Sequence, residues 1–282
     1  MPLLSTWKLI KDYKNHQIVL KQVCDRRMAL DKDKPDFMQH LMSRKGGISF
    51  SKEEIYSNAI LITLGGAETT SNTLSGSVFM LATDPNVATK VVEELHATFA
   101  SEDKIDMRSA SKLSYLNAVI RETLRYYPPG PNAMWRMTPP EGNTILGDWV
   151  PGNTVLSLHH RVIYRGEHSW RRPDEFLPER WLSEGKTSEF ANDRRDGFYP
   201  FSYGPRSCLA MNLAYAEMRF ILARFFILCR NALHTRSLDV ELRNQNCRQE
   251  PELAGGAEGI FDLGEAGPAC PFDAKKDEGA VL

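Results

Sequence analysis

Phe198-Tyr-Pro-Phe-Ser-Tyr-Gly-Pro-Arg-Ser-Cys208 is an irregular segment that gives way to the last strongly periodic stretch of the chain, at about 209–228. In that stretch Leu209, Leu213, Ala216, Phe220, Ala223 and Ile227 step by three and four, which predicts a helix with one apolar stripe. Cys208 therefore stands at an expected helix start, where unsatisfied backbone N–H groups and the positive dipole end favour a thiolate. A thiolate ligates a metal or attacks an electrophile, whereas a cysteine at a helix start also serves as plain packing. The segment alone leaves these readings open. Phe201 and Tyr203 are placed to wall off the sulfur, Gly204 to let the backbone approach a flat ligand, and Arg206 to pair with a carboxylate.

The rest of the chain narrows the choice. Cysteines at 24, 208, 229, 247 and 270 are odd in number and form no CxxC pair, which argues against a disulfide framework and a structural zinc site. A special cysteine must act alone. The 282 residues leave room for one large domain or two small ones, and 42% apolar with 25% charged residues are ordinary globular proportions. Thirty-five Lys and Arg against thirty-six Asp and Glu give a net charge of -1, so no global field attracts nucleic acid or anionic lipid. The chain holds no run of about 18 apolar residues and no signal-peptide core, and reads as soluble and intracellular. No fixed-period repeat is visible. Residues 231–282 are rich in Gly, Ala, Pro and Glu without a sustained period, and read as loop or disorder.

Upstream, Ile10, Tyr13, Leu20 and Val23, then Phe37, Leu41 and Met42, mark helices separated by the charged run at 31–35. Ser51, with Glu54 three residues on, is a capping box opening one long helix that Asp84-Pro85 ends. Gly65-Gly66 interrupts its middle, read as close helix packing or a tolerated kink. A helix from Asn86 to Phe99 follows, then one at about 112–127 with Leu113, Leu116, Ile120, Leu124 and Tyr127 on one face, stopped by Pro128-Pro129. Short β-like pieces between 131 and 182 predict a small sheet beside a mainly helical body.

Phe201-Ser-Tyr-Gly-Pro-Arg-Ser-Cys208 resembles the haem-binding signature F-x-x-G-x-R-x-C of the cytochrome P-450 family. Three further elements resemble the family in order and approximate spacing: Gly65-Gly-Ala-Glu-Thr-Thr70, Glu122-Thr-Leu-Arg125 and Pro178-Glu-Arg-Trp181. The resemblance covers roughly residues 15–230, and the run 190–219 looks like fungal secondary-metabolite hydroxylases of the isotrichodermin type. It implies a cytochrome P-450 fold, mainly α with a small β-sheet, of which this chain holds only the C-terminal part. Residues 1–230 would be a truncated haem-thiolate monooxygenase domain and 231–282 a divergent, irregular tail.

The implied activity is insertion of one oxygen atom from O2 into a small lipophilic substrate, in fungal secondary metabolism. Electrons would come from NADPH through a separate cytochrome reductase, and the family context is the endoplasmic reticulum membrane. By the resemblance, Cys208 is the axial thiolate of haem b. Arg206 and Arg136 are the candidates for the haem propionates, with Phe201 and Gly204 also against the cofactor. Glu68 and Thr69 match the acid-alcohol pair that relays protons over the distal face, on a helix expected to open beside Gly65-Gly66. Glu122, Arg125 and Arg180 form a buried network that supports the cysteine loop, and Arg194 and Arg195 are candidates for docking an acidic reductase. Ala210 departs from the glycine usual two residues after the cysteine, and the tail lacks a recognisable closing hairpin. The alternative reading is a truncated non-catalytic remnant, or an imperfect gene model, of such an enzyme.

Overall fold

Pro2–Met28 forms helix α1 and Phe37–Met42 forms α2, whose N-cap Asp36 accepts from the Gln39 amide at 2.8 Å. The stripe expected on α1 is not the one that packs. Ile10, Tyr13 and Val23 are exposed, and Cys24 and Arg27 are buried instead. Polar ties decide the orientation: Arg27 donates to Asp36 from Nε at 2.7 Å and from Nη2 at 3.2 Å, and Asp25 binds Lys52 at 2.7 Å and the Tyr56 hydroxyl at 2.5 Å. The computed structural model describes residues 2–30, 32–43, 50–132, 135–183 and 189–228, so the expectation for 231–282 lies outside the described residues.

Helix α3, Lys52–Thr83, opens on the anticipated capping box, with Glu54 N donating to Ser51 Oγ at 3.2 Å and Ser51 N to Glu54 Oε2 at 2.7 Å. Asp84 closes α3 and starts α4, Pro85–Thr98, where its Oδ1 accepts from Asn86 N and Val87 N. Pro85 costs nothing at the first helical position because its missing N–H would have been unpaired there. The four-residue α5, Met107–Ala110, precedes α6, Ser114–Tyr126, which ends before Pro128-Pro129 as expected. Leu113, Leu116, Ile120 and Leu124 are buried, but Tyr127 is half exposed because it lies past the helix end.

The anticipated sheet is two separate antiparallel pairs. In the first, β1 (Arg136–Met137) pairs with β4 (Val155–Leu156); in the second, β2 (Asn143–Ile145) pairs with β3 (Asp148–Val150). Leu146 and Gly147, both at positive φ (53° and 96°), make the two-residue turn of the β2–β3 hairpin. Helix α7, His160–Arg165, and the final helix α8, Met211–Leu228, complete the described elements. The stripe expected on the last helix shifts: Met218, Leu222, Ala223, Phe226 and Ile227 are buried, whereas Leu209 and Leu213 are exposed. Leu209 lies before the first turn, so its side chain is off the helical face altogether.

The core lies where α6 packs against α3, α4 and α8, with Leu81, Val91, Leu95, Leu116, Ile120 and Leu222 almost fully buried. Burying each such side chain contributes about 1.5–3 kcal/mol. Close approach of α3 to α6 requires Gly76, where a Cβ would lie 2.9 Å from a Tyr127 ring carbon and 3.3 Å from Thr123 Cγ2. Beside it, Ser77 Oγ donates to Thr123 Oγ1 at 3.0 Å, and Thr123 in turn donates to the Val119 carbonyl. Among the described residues no helix is long and apolar enough to cross a membrane.

Candidate functional site

The cysteine loop closes on itself. Cys208 N donates to the Phe201 carbonyl at 2.8 Å, and between them Gly204–Arg206 forms a single 3-10 turn. Two residues inside the loop take the left-handed conformation, Ser202 at φ 63° and Gly204 at φ 73°. Glycine is favoured at 204 by that φ and not by crowding, since a Cβ there meets nothing within 4 Å. Helix α8 begins three residues after Cys208, whose carbonyl accepts from Met211 N at 3.4 Å, so the cysteine precedes the first turn instead of occupying it. The Cys208 side chain is exposed. Phe201 and Tyr203 do not wall it off: the Phe201 ring packs on Tyr215 at 5.0 Å and the Tyr203 ring on Tyr199 at 5.0 Å. The Phe201 ring therefore ties the loop to α8, while Tyr203 stays largely exposed.

Two of the expected cations flank this loop. Arg136, on β1, donates from Nη2 to Ser202 Oγ at 3.3 Å and from Nη1 to the Trp135 carbonyl, so strand and loop meet through this side chain. Arg206 is exposed, with no ion pair among the described residues.

Beneath the loop lies a fully buried ionic cluster. Glu122 and Arg125, one helical turn apart on α6, make a two-pronged pair at 2.8 and 2.9 Å. Arg180, from the 3-10 turn Pro178–Trp181, adds Nε to Glu122 Oε1 at 3.1 Å. The Trp181 indole N–H and the Leu177 amide also donate to this carboxylate, at 2.8 and 2.9 Å. Arg125 uses all five of its guanidinium protons, reaching also the carbonyls of Tyr164, Pro173 and Glu175, and Arg180 reaches those of Arg171 and Arg172. Sequence reasoning missed Asp193, whose Oδ2 takes Arg180 Nη1 at 2.5 Å. No local spacing signals it, because it lies on an irregular segment.

The cluster connects to the cysteine loop through aromatic residues. Phe198 packs against Tyr164, Trp170 and Trp181, with ring centroids 4.7–6.1 Å apart, and the Tyr199 amide donates to the Tyr164 hydroxyl at 3.1 Å. Burial pushes the Tyr164 phenol well up, so it remains a neutral acceptor for that amide. Arg195, expected to dock a partner, turns inward and donates to the carbonyls of Arg180, Asp193 and Phe190; its neighbour Arg194 is exposed.

Glu68 and Thr69 lie on an exposed length of α3 that includes Leu61, Ile62 and Leu64. The helix does not open at Gly65-Gly66; it runs unbroken from Lys52 to Thr83. Nor do these glycines pack closely, since a Cβ on either meets nothing within 4 Å. What the site has is a hydroxyl bound to the helix, Thr69 Oγ1 donating to the Gly65 carbonyl at 2.6 Å.

The site thus joins an exposed sulfur, two exposed guanidinium groups and a buried ionic support. The family model described as "Cytochrome P450" (cytochrome P-450) matches residues 2–243. Cytochrome P-450 monooxygenase sthF of Phaeosphaeria nodorum is 53% identical over 227 residues, 80% of this chain and 44% of that protein. Averantin hydroxylase of Dothistroma septosporum is 40% identical over 225 residues, 79% of this chain and 42% of that protein. The chain therefore spans less than half the length of these relatives. A crystal structure of a cytochrome P-450 superposes with a TM-score of 0.66 at 22% identity, covering 77% of this chain and 50% of the other, a likeness of fold. The chain belongs to the cytochrome P-450 family.

Proposed function

We propose that this chain carries the haem-binding part of a fungal secondary-metabolite monooxygenase, which inserts one oxygen atom of O2 into a small lipophilic substrate. The family generally uses haem whose iron is held by a thiolate, and the reading here is haem b with Cys208 as the axial ligand. The observation that carries it is the closed loop from Phe201 to Cys208, which presents an exposed sulfur and rests on a buried ionic cluster. The residues present fit the group. Cys208 supplies a soft donor for iron, Arg206 and Arg136 supply planar cations for carboxylates, and Gly204 adds no side chain beside the loop.

Bound haem would supply the activation of O2, and Cys208 would hold its iron as a thiolate, an electron-rich donor suited to that chemistry. The chain's own residues hold and protonate. Arg206 and Arg136 orient the propionates, Arg136 in concert with Ser202. On α3, the Thr69 proton is engaged by the Gly65 carbonyl, so this hydroxyl offers lone pairs to a proton-bearing donor such as water. Glu68 beside it provides a carboxyl to take up and release that proton. Electrons come from a separate NADPH-dependent cytochrome reductase, at the endoplasmic reticulum membrane, by the family resemblance.

Expression with haem available, reduction and addition of carbon monoxide test the reading. The wild-type chain is expected to give the red-shifted thiolate-type Soret band, and Cys208→Ala to abolish it. Folded protein without the band, or a variant that retains it, overturns the assignment.

A further inference from the structure

The three motif residues of the buried cluster do not balance in charge. Arg125 and Arg180 bring two cations and Glu122 one anion, all with fully buried side chains. A single uncompensated guanidinium at such depth is strongly destabilising. Asp193, also fully buried at its side chain, is the fourth charge and makes the cluster neutral. Both its oxygens are used, Oδ2 by Arg180 Nη1 and Oδ1 by the Arg171 amide at 2.7 Å.

Its place in the chain gives this anion a second consequence. The backbone leaving Asp193 is fastened step by step, Arg194 N to the Ser169 carbonyl at 2.8 Å and Phe198 N to the Arg195 carbonyl at 3.2 Å. The Arg195 side chain returns to the Arg180 carbonyl at 2.6 Å. The segment then reaches Tyr199, whose amide meets the Tyr164 hydroxyl, while the Tyr164 carbonyl accepts from Arg125. The stretch that delivers Phe201 and Cys208 is thus tied to the cluster at both ends, through Asp193 and through Tyr164. We propose that Asp193 is a positioning residue: its buried pairing with Arg180 fixes the segment 193–199 and thereby sets the conformation of the cysteine loop. The consequence for haem rests on the reading of Cys208 as axial ligand, but the positioning itself is testable without haem.

Native-state hydrogen exchange on the haem-free full chain reads it directly. In Asp193→Asn the amides of Tyr199 and Cys208 are expected to lose protection by about tenfold or more, while those of Val91 and Leu95 in α4 stay within about twofold. Asp193→Glu, which keeps the charge, is expected to restore most of the loop protection. An unchanged loop, or an equal loss of protection in α4, overturns the proposal, because the second result describes global destabilisation only. If Asp193→Asn does not fold, Arg180→Met combined with Asp193→Leu removes the pair without stranding a charge, and the same selective loss in the loop is required of it. In the haem-loaded chain Asp193→Asn is expected to weaken the thiolate-type band. A wild-type chain with no such band refutes the proposed function and leaves the exchange result standing.

Discussion

Gly65 and Gly204 both face open space, yet alanine should act in opposite directions at the two positions. Gly204 has φ 73°, where a Cβ costs about 1–2 kcal/mol, so Gly204→Ala is expected to destabilise the haem-free chain by about 1 kcal/mol. Gly65 is an ordinary helical residue with no neighbour to clash, and Gly65→Ala is expected to stabilise by about 1 kcal/mol through helix propensity. Urea unfolding of the two variants measures both, and shifts of the same sign would contradict the account. The contrast shows what the sequence made legible at the site. The segment from Phe201 to Cys208 stood out because its residue types sit at fixed spacing over a few residues. Asp193 was not legible, since its value depends on a guanidinium that only the fold brings to it, and the packing of Phe201 on Tyr215 was not either, because the position of Tyr215 is set by α8.

Helices were the more legible level, because caps and prolines act locally. The capping box at Ser51, the junction at Asp84-Pro85 and the stop at Pro128-Pro129 all stand where the sequence put them. Packed faces were less legible, as α1 and α8 show, since which stripe is buried depends on the neighbours available. The start of α6 is the clearest case of a distant residue replacing a local signal. Its N-cap, Leu113, offers no side-chain acceptor, and the two oxygens of Glu94 on α4 accept from Tyr115 N at 2.7 Å and Leu116 N at 2.9 Å. A carboxylate that caps a helix from another element also locks the two helices together. Glu94→Ala should therefore cost about 1–2 kcal/mol, the upper end of ordinary cap removal, and Glu94→Gln, which keeps one acceptor, should cost less. A urea midpoint unchanged by Glu94→Ala would show that α6 needs no cap from α4. The effect should extend to the site, since α6 carries Glu122 and Arg125.

At the scale of the whole molecule, a net charge of -1 means that self-repulsion is small near neutrality, so the pH dependence of stability belongs to particular groups. Desolvation holds the His160 imidazole, stacked on Tyr164 at 5.0 Å, below its ordinary range. The unfolded chain therefore takes up that proton first, and the stability His160 contributes is present above about pH 6.5 and lost as pH falls. Carboxylates add a second, more acidic step. The Arg27 guanidinium holds Asp36 low, and the capping amides and hydroxyls hold Glu54 and Asp106 low, so their contributions vanish below about pH 4. On the alkaline side the signs reverse. Burial raises the Cys24 thiol and the phenols of Tyr115, Tyr164 and Tyr215, whose contributions are present below the unfolded values, about 8.5 and 10, and are lost as pH rises through the folded ones. The expected profile is a plateau between about pH 7 and 8, with an acid limb that begins near 6.5 and steepens near 4. Urea midpoints across that range check it, and His160→Gln should delay the acid limb to the carboxylate range. A wild-type limb that starts only near pH 4 would mean that His160 is charged in the folded chain, against its burial beside Tyr164.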